Sequence, residues 1–138
     1  MEVRSTTVLR RALPAVPSSV TAMRADVADF VTAAGIGEPL LTSVKLAVSE
    51  AVTNAVMHAY IGAEQPGEVR LDARVDEGRV LVTVADDGCG MAPRLDSPGL
   101  GVGLPFIAHT TDTLEIEPGD SGGTRLRMSF RIAVGASR

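Results

Sequence analysis

Between residues 38 and 60, Leu41, Val44, Val48, Ala51, Val52, Ala55 and Ala59 recur at the helical period and fall on one broad arc. The spacing predicts a helix from Glu38 to Tyr60. Glu50 and Asn54, four residues apart, lie one above the other on its opposite face, together with Ser43. Leu46 and Met57 sit beside Glu50 on that polar side, which implies that something covers it, and covered polar groups need partners. The helix alone leaves two readings open: a solvated polar face, or one wall of a site.

Upstream, Val3, Val8, Leu9 and Leu13 alternate imperfectly toward Pro14 and Pro17, predicting a first strand, at an edge, over residues 3–13. Ser18 and Ser19 are N-cap candidates for an amphipathic helix carrying Val20, Met23, Val27, Phe30, Val31 and Ala34 to a stop at Gly35. Downstream of Tyr60, residues 61–67 read as a loop. Residues 68–76 then alternate without a break, with Val69, Leu71, Ala73 and Val75 inward. A hairpin turn at Asp76-Glu77-Gly78-Arg79 leads into residues 80–85, apolar on both faces as a central strand would be. That strand runs into Asp86-Asp87-Gly88-Cys89-Gly90-Met91. A loop over residues 92–99, a glycine-rich run from Gly99 to Gly103 and a short helix from Leu104 to about Thr110 follow. Two closing strands, Thr113–Glu117 and Thr124–Ile132, flank a glycine-rich turn. The order strand, helix, helix, strand, strand, helix, strand, strand predicts an α+β fold. It is a two-layer α/β sandwich whose mixed, mostly antiparallel sheet is covered on one face by helices.

Composition narrows the function classes. A length of 138 residues suits a single domain over 1–138, with a core spanning about residues 3–133. No apolar run approaches the roughly 18 residues of a membrane span, and Met1–Thr7 lacks the apolar core of a signal peptide. The expectation is a cytoplasmic protein with no membrane partner. Cys89 is the only cysteine, which excludes an internal disulfide and disfavours a cysteine-based zinc site. A net charge of -4 provides no basic footprint for nucleic acid. Lys45 is the only lysine and follows Val44, so no Walker loop is present, because that loop needs lysine directly after glycine. The strand lysine and H-R-D loop of eukaryotic-type protein kinases are absent too.

Two further stretches could carry chemistry. Asp86-x-Gly88-x-Gly90 ends a buried strand, where a carboxylate can accept hydrogen bonds and glycines let a flat ring or a phosphate approach the backbone. An ordinary acidic turn would look the same. Gly99-x-Gly101-x-Gly103 opens a helix, where unpaired N–H groups and the helix dipole favour phosphate by roughly 0.3–2 kcal/mol. The dinucleotide fingerprint fails: its sixth position would be Leu104 counted from Gly99, or Phe106 counted from Gly101.

The Glu50/Asn54 face, the Asp86 motif, the glycine loop and Gly122-Gly123-Thr124 occur in one order in one small domain. In this the chain resembles the Bergerat-fold ATPases, the superfamily of type II topoisomerase ATPase domains, heat-shock chaperones and sensor histidine kinases. It most resembles the bacterial anti-sigma-factor serine/threonine kinases, through the run from Glu50 to Tyr60 and Gly101-Val-Gly103-Leu104-Pro105-Phe106-Ile107.

The resemblance implies ATP and Mg²⁺ as ligands, with Asn54 holding the metal, an oxygen donor suited to a hard cation. It implies Glu50 as the general base toward an acceptor hydroxyl, a role that typically contributes about 10²–10⁴ in rate. Asp86 would bind the adenine amino group, with Gly88 and Gly90 letting the base sit against the backbone and Thr124 supporting it. Gly99, Gly101, Gly103 and the N–H of Leu104 would cradle the phosphates. His58 is implied to be structural rather than a phosphoacceptor, and Cys89 to pack. The lid, Met91–Leu100, is short and holds Arg94 as its only cation. The implied partners are a sigma factor, an anti-anti-sigma (STAS-type) protein substrate and a second copy of the chain, with no nucleic acid. Two other readings stay open: an ATP-dependent binding switch with little catalysis, and a detached histidine-kinase catalytic domain.

Overall fold

The computed structural model describes residues 8–60, 62–65, 67–88, 107, 110–119 and 122–132. The first strand, β1 (Val8–Pro14), is followed by helices α1 (Pro17–Ala33) and α2 (Leu40–Asn54). The hairpin of β2 (Glu68–Asp76) and β3 (Arg79–Asp86) comes next, then β4 (Thr113–Pro118) and β5 (Thr124–Arg131). The strands form a five-stranded sheet in the order β1-β2-β3-β5-β4, and every pairing is antiparallel. Residues 3–7 of the expected first strand lie outside the described residues. Of the expected helix after the lid, Ile107 and Thr110 are described, and both are helical.

The alternation in β2 and the helical stripes meet in one core. Met23, Val27 and Val31 of α1 and Val44, Val48, Ala51 and Val52 of α2 are buried together with Val69 and Leu71 of β2, Val80, Val82 and Val84 of β3, and Leu126, Met128 and Phe130 of β5. Each fully buried large aliphatic or aromatic side chain contributes about 1.5–3 kcal/mol relative to exposure. Ile107 is fully buried in the same cluster, which ties the post-lid helix to the core.

The start of α1 differs from the expected capping. Pro17 opens α1 behind an uncapped Val16, a position where its missing N–H costs nothing. Ser19 is not a cap: its buried hydroxyl donates to the carbonyl of Pro14 at 2.6 Å, fastening α1 to the end of β1. At α2 the Glu38 carboxylate accepts the N–H and hydroxyl of Thr42 at 3.0 and 2.6 Å. Those hydrogen bonds, the hydroxyl first, hold the Glu38 carboxyl below its ordinary range.

The expected helix from Glu38 to Tyr60 is two segments in register. After Asn54 the backbone ladder widens into a π-helical turn, Ala55–Ala59, and ends at Tyr60. The combined Leu40–Ala59 stretch, 20 residues with mean hydropathy 1.2, has the length and composition of a membrane span, a test that a buried core helix also meets. Its apolar stripe packs on the sheet. Leu46 and Met57 do not show the cover inferred from them, being 43% and 59% exposed.

Candidate nucleotide site

Asp86 ends β3 opposite Thr124, the first residue of β5, and is only 8% exposed. Its carboxylate accepts the N–H of Gly88 at 2.9 Å and the main-chain N–H of Thr124. Burial pushes its pKa up, and these two N–H groups pull it back in part.

Two glycines shape the ground around it. A Cβ on Gly88 would stand 2.1 Å from the Ala59 carbonyl oxygen, so the turn after Asp86 lies directly on the end of the π-turn. Gly123, at φ +78°, would place a Cβ 2.0 Å from the Asp86 carbonyl oxygen and 2.6 Å from the Asp87 Cα. Both must be glycine for the protein's own backbone to close, whatever binds there.

Asn54 is the last residue of α2, immediately before the π-turn, and Glu50 lies one turn earlier. Both are half-buried. The Asn54 amide nitrogen is buried and has no hydrogen-bond partner among the described residues. A half-turn of the amide exchanges nitrogen for oxygen, so this end can offer either a donor or a metal-ligating oxygen. π-turns inside helices are frequent at functional sites, and this one begins directly after the residue expected to hold the metal.

Ala59 ends the helical run that carries Glu50 and Asn54, and its contact with Gly88 sets the end of that run against the turn after Asp86, beside Thr124. Gly90, Gly99, Gly101, Gly103 and Leu104 lie outside the described residues, as do Cys89 and Arg94. His58 is half-buried within the π-turn. The residues present suit a nucleotide: a buried acceptor at a strand end, a turn flattened by glycine, and an unpartnered amide one turn from a carboxylate.

Sequence reasoning overlooked how the Asp86 turn is held. Arg70 forks onto the Asp87 carboxylate at 2.8 and 3.1 Å, and Tyr60 accepts the Asp87 N–H at 2.9 Å. The available signal was weak: a lone tyrosine where the helix ends, and an arginine on the outward face of β2.

The description of the histidine kinase-like ATPase domain fits residues 13–130. The chain belongs to that family. Among similar proteins, the anti-sigma F factor of Clostridium novyi is 32% identical over 120 residues, covering 79% of this chain and 83% of that protein. The serine-protein kinase RsbW of Listeria innocua is 37% identical over 76 residues, 55% of this chain and 48% of that one. This ATPase domain therefore falls with the anti-sigma-factor kinases. A crystal structure of the RsbU and RsbW domains of a Mycobacterium tuberculosis protein shares its fold, with a TM-score of 0.72 at 24% identity. That match covers 91% of this chain and 32% of the other.

Proposed function

We propose that this domain is an anti-sigma-factor serine/threonine kinase of the cytoplasm. It binds Mg-ATP, holds a sigma factor inactive and phosphorylates an anti-anti-sigma protein on Ser or Thr, acting as a homodimer. The observation that carries the reading is the buried Asp86 carboxylate, already gripped by two main-chain N–H groups, at a turn that packs on the end of the helical run carrying Glu50 and Asn54. The relatives named as anti-sigma factors and a serine-protein kinase support it.

Asp86 accepts the amino group of adenine, which a carboxylate poor in solvent does strongly. Asn54 supplies one oxygen to Mg²⁺. The remaining ligands would come from phosphate oxygens and water, as is usual for this ion. Bound Mg-ATP supplies the phosphoryl group and the charge neutralisation for its transfer. Glu50 takes the proton from the acceptor hydroxyl as that oxygen bonds to the γ-phosphorus and ADP departs.

Radiolabel transfer from ATP to an anti-anti-sigma protein tests this, with acid-stable phosphoserine or phosphothreonine as the expected product. Glu50→Ala should abolish transfer while ATP affinity stays nearly intact. Loss of affinity and transfer together would sink the role assigned to Glu50. A wild-type protein that binds the partner in an ATP-dependent way without transferring phosphate would establish a binding switch instead.

A further inference from the structure

Tyr60 is the only tyrosine in the chain, and it caps the π-turn. Its hydroxyl uses both of its capacities: it donates to the Glu68 carbonyl at 2.7 Å and accepts the Asp87 N–H at 2.9 Å. The β2–β3 register pairs Val69 with Asp86, so Glu68 and Asp87 are the next opposed positions beyond that pair. The hydroxyl therefore stands where the two main chains would otherwise meet, as a one-atom spacer between the strands. Beyond it, the chain leaves the sheet and Gly88 comes to rest on Ala59, the residue preceding Tyr60. The ring is held in turn by Gly67, where a Cβ would lie 2.4 Å from the ring's Cε1 and Cζ. Residues 59 and 60 thus touch residues 88 and 87 in succession, while the Arg70 fork holds the Asp87 side chain.

A main chain anchored at Asp87 and Gly88 leaves the neighbouring Asp86 carboxylate little freedom of direction. We propose that Tyr60 is a positioning residue for nucleobase recognition, its hydroxyl setting the Asp86–Gly88 turn so that the Asp86 carboxylate faces the amino group of adenine. The proposal rests on the reading of Asp86 given above. It adds a requirement that the family's glycine and carboxylate motifs do not state: besides the shared core and the Ala59–Gly88 contact, a phenolic oxygen bridges the end of the helical run carrying Glu50 and Asn54 to the turn after Asp86.

The test compares ATP with inosine triphosphate, which lacks the exocyclic amino group, by calorimetric affinity on the full chain. Wild type should prefer ATP. In Tyr60→Phe, ATP affinity should fall about three- to tenfold, the range for one lost hydrogen-bond bridge, while inosine triphosphate affinity moves by less than about twofold. The preference for ATP then shrinks by the same factor. An unchanged preference, or equal loss for both nucleotides, would overturn the role of Tyr60, since a merely structural residue weakens both alike. A wild-type protein indifferent to the amino group would overturn the Asp86 reading and this one with it. Should Tyr60→Phe not fold, Gly67→Ala takes its place, because the added methyl displaces the ring while keeping the hydroxyl. It is held to the same outcomes.

Discussion

Gly88 rests against the carbonyl of Ala59 so closely that a Cβ at position 88 would stand 2.1 Å from that oxygen. The contact joins the end of β3 to the end of the π-turn, and with them the two halves of the candidate site. The first of the four predictions below concerns how tightly that junction is built.

Gly88→Ala should destabilise the domain by about 1–3 kcal/mol, the usual cost of forcing a methyl into a packed region. The nearest atoms belong to the Ala59 backbone and Cβ, which cannot swing aside like the end of a long side chain. Urea denaturation followed by circular dichroism would measure the loss, and nucleotide affinity should fall with it.

Gly123→Ala should cost more than Gly78→Ala. Both glycines sit at φ +78°, so an alanine is strained at either position. Only Gly123 also meets a neighbour, the Asp86 carbonyl oxygen at 2.0 Å; Gly78 faces open space. Equal urea midpoints for the two variants would show that the turn beside Thr124 yields without resistance.

Asp86→Asn should weaken ATP binding about ten- to a hundredfold, the loss of a hydrogen bond to a charged group. The same change should remove the Asp86 titration from the pH dependence of the nucleotide-free domain's stability. Burial raises the folded pKa of Asp86, so the native state binds the proton more readily than the unfolded chain does. Its contribution to stability is full below the unfolded pKa and is lost as pH rises through the folded value. Asp87 runs the other way: its pKa is lowered by the hydrogen bond from Arg70, so its contribution is present above the unfolded pKa and fades as pH falls through the folded one. Urea midpoints from about pH 3 to pH 8 should show Asp86→Asn gaining on wild type through the raised Asp86 titration and levelling above it.

Asn54→Ala should leave stability unchanged or slightly higher, because it removes a buried amide nitrogen that has no partner among the described residues. Its effect should appear in metal linkage: ATP affinity with Mg²⁺ falls at least about tenfold, while affinity in the presence of a chelator stays within about twofold. Equal losses with and without Mg²⁺ would contradict the metal role.

The sequence by itself determined the features that repeat over a few residues. Periodicity placed the stripe of α2 and the inward face of β2, because burial of one face imposes a period of 3.6 on a helix and 2 on a strand. Glu50 and Asn54 shared a face, and Asp86 ended a buried strand, for the same local reason. Only the tertiary structure decided how those pieces meet. Ser18 and Ser19 looked like helix caps, but Ser19 reaches back to Pro14, since β1 and α1 are packed together there. Leu46 and Met57 suggested a cover, yet their exposure depends on what crosses the helix, which its own period does not encode. The widening of the helix after Asn54, the demand of Ala59 on Gly88 and the Tyr60 bridge to Asp87 arise from strand register and close packing between positions far apart in the chain. Such contacts follow from a three-dimensional arrangement of elements, and a pattern read along one dimension carries no distance between them.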